Sequence, residues 1–132
     1  MQLNVTTDYA IRAVLFLATV NRAATGAEIC RSMAIPRNML AAMSCKLQDA
    51  GVIVTTRGSS GGYSLARRPE DISLSLIINT MEGTTRINRC LEEDHLCSRN
   101  ATETCPVRAF YVKIQQYLDE TFEAKTIASL ME

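Results

Sequence analysis

Apolar residues recur at helical spacing along most of the chain, and the period changes twice within residues 35–65. Met39, Leu40, Met43 and Leu47 predict a helix beginning after Pro36, a residue tolerated at a helix start. Gly51 stops it, because glycine enters the left-handed cap conformation without steric cost. The following VIVTTR run is β-branched and reads as a strand. The cluster Gly58-Ser59-Ser60-Gly61-Gly62 turns the chain back into a short return strand, Tyr63-Ser64-Leu65. A helix followed by a hairpin with arginine at its tip has the layout of a winged-helix reader of DNA. An ordinary helix and hairpin, with glycines serving only the turn, fits the same pattern.

Upstream, a helix is expected over Thr6–Asn21, with Tyr9, Ala13, Phe16, Leu17 and Val20 on one face and Ile11, Leu15 and Ala18 on another. A helix apolar on two sides should be buried on two sides. Thr25-Gly-Ala-Glu28 has the form of a capping box opening a short helix through Met33 and Ala34. With the next helix, from Arg37, it makes a helix-turn-helix. Downstream, Pro69 closes the hairpin, Ser73 caps a helix through Ile77, Ile78 and Met81, and Gly83 ends it. Residues 84–104 have almost no apolar periodicity and read as a long loop, which in a compact domain is usually functional or disordered. After Pro106, Val107, Phe110 (or Tyr111), Ile114, Tyr117 (or Leu118) and Thr121 form a helical stripe suited to packing against a second chain or its own domain. Residues 125–131 make a final amphipathic turn. The expected class is mostly α with a small β-hairpin wing: residues 1–83 the winged helix-turn-helix, 84–105 a cysteine-bearing loop, 106–132 a long C-terminal helix and turn.

Composition adjusts this picture in two places. A chain of 132 residues, 47% hydrophobic, is one domain or one domain with an arm. No apolar run reaches the ~18 residues of a membrane span and no secretion signal opens the chain, so a cytoplasmic protein without a membrane partner is expected. The net charge of zero conceals an asymmetry. Residues 1–70 hold eight Lys/Arg against four Asp/Glu, a balance of +4, and the remainder balances at −4. Phosphate contact favours a basic reading half. Catalysis finds no support: no nucleophile stands beside a base, no phosphate-cradling loop joins strand to helix, and there is one histidine.

Five cysteines carry the remaining chemistry. Cys30 and Cys45 fall within the helix-turn-helix and are expected to be core filler, as free cysteine commonly is. Cys90, Cys97 and Cys105 are spaced C-x6-C-x7-C in the loop. An odd count in a cytosolic protein argues against structural disulfides. A zinc site completed by His95 and an iron–sulfur cluster wrapped by a flexible loop both remain open on spacing alone.

The segments Asp8-Tyr9-Ala10-Ile11-Arg12-Ala13, Ala27-Glu28-Ile29-Cys30, Ile35-Pro36, Leu40, Lys46-Leu47 and Ala50-Gly51 closely resemble the bacterial winged-helix regulators typified by IscR, NsrR and CymR. So does the wing, Arg57-Gly58-Ser59-Ser60-Gly61-Gly62-Tyr63-Ser64-Leu65, the most specific part of a resemblance covering essentially the whole chain. It implies a homodimeric, sequence-specific transcription factor reading a pseudo-palindromic operator, with Arg57, Gly58, Ser59, Ser60, Gly61 and Tyr63 of the wing at the DNA. It further implies that Cys90, Cys97 and Cys105 hold an iron–sulfur cluster, [4Fe–4S] in preference to [2Fe–2S], responsive to nitric oxide, iron or cluster supply, or oxidative stress. A zinc-dependent or thiol-based regulator without iron is the alternative, and a winged helix that binds protein is another.

Three departures from the family pattern matter. Where better-known members place Glu and Gln against base edges, this chain has Ala41 and Ala42, so base reading is expected to rest on Arg37, Asn38, Ser44 and the wing. The cysteine intervals are somewhat longer than in those members. The histidine that follows the third cysteine in the IscR type is here Arg108, which does not ligate iron. The fourth ligand then falls to His95 or to Asp8 of the partner subunit, whose position matches the carboxylate donor of the nitric-oxide-sensing branch; a plain helix-dipole role suits Asp8 equally.

Overall fold

The computed structural model describes residues 1–59 and 61–132. Helix α1 (Val5–Val20) passes through the middle of the molecule. Its buried strip is Thr7, Ala10, Ala13, Val14, Leu17 and Ala18, with Tyr9, Ile11, Leu15 and Phe16 half-buried against the same core. Small residues along that strip let neighbours approach on several sides, and α1 meets helices both before and after the wing. Asn21 ends it at φ 50, a left-handed cap whose N–H bonds the Leu17 carbonyl. Asn4 gives α1 no side-chain cap. Glu82 supplies one from a distant element, accepting from Asn4 N–H (2.7 Å), Thr7 Oγ1 (2.7 Å) and Asn4 Nδ2 (3.1 Å). These donors, Asn4 N–H foremost, lower the Glu82 pKa.

Helices α2 (Gly26–Met33) and α3 (Arg37–Asp49) form the helix-turn-helix. Thr25 caps α2 through Glu28 N–H, as its position suggests. The reciprocal half of the capping box is absent, because the Glu28 carboxylate turns to Arg22 instead (2.6 and 3.1 Å). The C-terminus of α3 is a Schellman motif: Gly51 N–H reaches Gln48 O, Val52 N–H reaches Leu47 O, and Gly51 takes φ 71.

Strands β1 (Ile53–Thr56) and β2 (Gly62–Leu65) pair antiparallel, Ile53 opposite Leu65 and Thr56 opposite Gly62. The link between α1 and α2 adds a bridge to this wing, with Ala24 and Tyr63 exchanging both backbone hydrogen bonds. That approach explains Gly62. It has φ 149, and a Cβ there would lie 2.3 Å from Ala24 O.

Pro69 opens a 3-10 turn (Pro69–Asp71), and Ser73 caps α4 (Leu74–Met81) by accepting from Leu76 N–H. Residues 84–105 carry one further 3-10 turn, Arg89–Leu91, and are otherwise irregular, as their lack of periodicity foretold. Helix α5 (Pro106–Ala124) and a short α6 (Ile127–Leu130), opened by a Thr126–Ser129 capping box, complete the chain. Ile29, Met43, Leu47, Val52, Ile72, Ile77 and Ile127 belong to one core shared by α1–α4, the wing base and α6. Helix α5 stays outside it: Gln115 is its buried residue, while Val107, Phe110, Ile114 and Tyr117 are exposed. No helix among the described residues is long and apolar enough to cross a membrane.

Candidate nucleic-acid interface and cysteine loop

The period of α3 divides it cleanly. Leu40, Met43 and Leu47 face the core, and Arg37, Asn38, Ala41, Ala42, Cys45 and Lys46 are exposed. Arg37 and Asn38 therefore stand where a base-reading role needs them. Ser44 does not. It is 4% exposed, its Oγ donates to the Ala41 carbonyl at 3.0 Å, and it falls on the core side of the helix; the expectation that it meets a base is corrected. Cys45 is corrected in the opposite sense, since it is exposed on the outer face while Cys30 is buried. Sequence reading also missed Gln48, which accepts from the Thr55 hydroxyl at 2.7 Å and ties α3 to β1.

At the wing, Arg57, Gly58 and Ser59 are exposed beyond the end of β1, and Gly61 is half-buried. Ser60 lies outside the described residues. Tyr63 faces inward: it is half-buried against the core, and a Cβ on Gly26 would sit 3.7 Å from its ring. Its side chain supports the wing base, and its main chain makes the bridge to Ala24.

The cysteine loop is fastened to α5 by one buried amide. Gln115 accepts from Ile87 N–H (2.8 Å) and donates to Thr85 O (3.1 Å) and Asp119 Oδ1 (2.9 Å). Arg86 adds an ion pair to Asp119 at 3.1 Å. Gln115→Ala strips partners from two part-buried backbone groups and is expected to destabilise the fold by about 1–3 kcal/mol. A urea titration reads this as a lower midpoint at unchanged slope, and an unshifted midpoint would show that water replaces the amide.

Cys90, Cys97 and Cys105 are free and half-buried, and each sulfur accepts a hydrogen bond. Asn88 Nδ2 donates to Cys90 (3.2 Å), Ala101 N–H to Cys97 (3.5 Å) and Arg108 N–H to Cys105 (3.4 Å). The Ala101 N–H, then that of Arg99, with the Arg99 charge assisting, lower the Cys97 thiol pKa. Arg108 also donates through Nε to Cys90 O at 3.2 Å, so one arginine links the Cys90 turn to the start of α5. Thiols supplied with N–H donors are the donor set that iron–sulfur clusters take, and such hydrogen bonds tune cluster potential. Among the described residues, no three His, Cys, Asp or Glu side chains converge closely enough to hold a metal ion. Holding one group therefore requires the loop to draw its thiols together. His95 is exposed at φ 48 in the loop. Asp8, exposed on the first turn of α1, pairs with Arg12 at 2.5 Å, and Arg12 also donates to Met33 O and lies over the Tyr9 ring.

Comparison with known proteins agrees with this architecture. The family model Rrf2, described as an iron-dependent transcriptional regulator, matches residues 3–132. A protein of Aquifex aeolicus (strain VF5), named as an HTH-type transcriptional regulator, is 31% identical over 127 residues, covering 96% of this chain and 88% of its own. The HTH-type transcriptional regulator NsrR of Geobacillus kaustophilus (strain HTA426) is 29% identical over 135 residues, spanning 100% of this chain and 90% of its own. In fold, the chain is similar to CymR, the global cysteine regulator of B. subtilis, with TM-score 0.83, 21% identity and coverage of 98% and 95%. A helix-turn-helix followed by a glycine-tipped wing, and a family match over almost every residue, lead to one assignment: the chain belongs to the Rrf2 family of transcriptional regulators.

Proposed function

We propose that this regulator acts as a homodimer that reads pseudo-palindromic double-stranded DNA and is controlled by an iron–sulfur cluster held by Cys90, Cys97 and Cys105, [4Fe–4S] rather than [2Fe–2S]. The observation that carries the reading is the cysteine loop itself: three free thiols, each accepting a hydrogen bond, on a segment fastened by Gln115 to α5. When bound, such a cluster supplies a redox-active, nitric-oxide-reactive centre in which the protein tunes potential through hydrogen bonds to sulfur. The chain's own residues do the rest. Arg108 holds the Cys90 turn against the N-terminus of α5, Gln115 holds Thr85 and Ile87, and α5 carries the exposed stripe that meets the second subunit. Asp8 of one subunit serves as fourth ligand to the other subunit's cluster, a role that requires it to leave Arg12. Asp8→Ala then shortens cluster lifetime in the folded dimer, read as faster loss of visible absorption. An unaltered cluster in Asp8→Ala, paired with a lost one in His95→Ala, moves the ligand to His95.

DNA is met by α3 in the major groove and by Arg57 along the minor groove, where a narrow A·T-rich groove concentrates negative potential. Arg57 is exposed past the end of β1, free to extend along that groove. Arg57→Ala is expected to weaken operator binding by about 1–3 kcal/mol at physiological salt. Equal affinity of variant and parent removes Arg57 from the site.

Anaerobic purification with iron, sulfide and zinc analysis, followed by operator binding on the same sample, tests the whole reading. A colourless protein with stoichiometric zinc rejects it. The lowered pKa of the Cys97 thiol favours one second reading, a regulator switched by thiol oxidation without iron. A metal-free protein whose operator affinity falls on oxidation of Cys97 identifies that case.

A further inference from the structure

The outer face of α3 has an unusual chemistry for a helix meant to discriminate bases. Successive residues on a helix turn by about 100°. Positions 37, 41 and 45 therefore form one row and 38 and 42 the next, opposite Leu40, Met43 and Leu47. All five are exposed. The centre of this face is two methyl groups, Ala41 and Ala42, and one thiol, Cys45. None is a strong donor or acceptor. The single hydroxyl of the helix, on Ser44, is buried and bonded to Ala41 O, and the Gln48 carbonyl is occupied by Thr55. Arg37 and Asn38 are left at the N-terminal end of the face as the side chains able to read a base edge, with Lys46 at its margin for phosphates and Asp49 at its far end.

From this geometry we propose that α3 reads thymine methyl groups. Ala41, Ala42 and Cys45 form an apolar patch that packs on the C5-methyls of adjacent A·T pairs, and Asn38 engages a neighbouring adenine through N6 and N7. The proposal rests on the reading of α3 as the major-groove helix and names the class of operator it selects. In the major groove both pairs present three hydrogen-bonding groups, and thymine alone adds a methyl group, so the methyl is what an apolar patch distinguishes. Burying that methyl favours thymine over a pair that lacks it. Discrimination at the centre of the face therefore comes from methyl burial, with hydrogen bonding to bases left to Arg37 and Asn38 at its N-terminal end.

The test begins with selection of duplexes from a random pool by the full-length, anaerobically purified protein. Deoxyuridine is then substituted for thymidine, one position at a time, in the selected site. This removes only the 5-methyl group, leaves pairing and the minor groove intact, and requires no change to the protein. The expected result is a recurrent pair of adjacent A·T steps in each half-site, with about a fourfold loss of affinity for each contacted methyl removed, the worth of one buried methyl group. The double variant Ala41→Gly, Ala42→Gly, which keeps Cys45, is expected to lose the thymine preference at the methyls that the two alanines cover. Selected sites with G·C at the helix-facing steps, or less than a twofold change for every uracil substitution, overturn the proposal while leaving DNA binding intact. Failure to select any duplex overturns the DNA-reading function and this proposal with it.

Discussion

Cys97→Ala protein purified without oxygen is expected to be colourless, with iron and sulfide content reduced more than about tenfold. Loss of a mere outer-shell partner of a metal ligand already costs that much, and loss of a ligand costs more. The same outcome is expected for Cys90→Ala and Cys105→Ala. Cys97 is the most informative of the three. Its sulfur accepts from Ala101 N–H within the loop, so its removal breaks only local contacts and leaves the Gln115 and Arg108 fastenings in place. Thermal unfolding of the metal-free chain is therefore expected to be nearly unchanged, separating a ligand from a structural residue. Cys30→Ala and Cys45→Ala are expected to keep the colour for different reasons: one side chain is buried on the core side of α2, and the other stands on the outer face of α3. A full-occupancy cluster in Cys97→Ala would falsify the assignment of the three thiols.

Features set by local rules were legible in the sequence. The end of α3 was readable because Gly51 is needed at φ 71, and the wing because β-branched residues and a glycine cluster permit little else. The irregularity of 84–105 followed from missing periodicity. The start of α5 followed from Pro106, which loses nothing at a first helical position. The ambiguity between Phe110 and Tyr111, and between Tyr117 and Leu118, has a physical resolution. Both stripes exist: Phe110 and Tyr117 are exposed, while Tyr111 and Leu118 are half-buried on the side shared with Gln115.

What escaped sequence reading depended on partners far along the chain or on helix phase. Glu82 caps a helix that begins 77 residues before it, and nothing local marks that glutamate. Glu28 had the right spacing for a capping box but found a stronger partner in Arg22. Ser44 and Cys45 are neighbours whose exposures were both misjudged. A one-residue step on a helix rotates a side chain by about 100°, enough to exchange core for solvent at the edge of an apolar face. The two errors share one cause: residue type was allowed to stand in for phase.

Ile114→Glu is expected to raise the dimer dissociation constant at least a hundredfold. Val107, Phe110, Ile114 and Tyr117 lie along one side of α5, 53%, 59%, 37% and 67% exposed, in a chain whose core is otherwise well covered. Large apolar side chains in a contiguous stripe, facing away from Gln115 and the cysteine loop, mark a surface meant to be covered. A two-fold dimer covers it with its own copy, and symmetry then places two introduced carboxylates in the same seam. An uncompensated buried charge costs about 3–5 kcal/mol, which sets the hundredfold scale. Sedimentation equilibrium measures it directly. Ala109→Glu, exposed on the same helix but off the stripe, is the matched control and should leave the dimer intact. If the proposed two-fold reading of DNA holds, operator binding should fall with dimerisation, because each monomer would keep one α3 and one wing. A monomeric parent protein, or a dimer indifferent to Ile114→Glu, would assign the stripe to another partner and separate the subunit contact from α5.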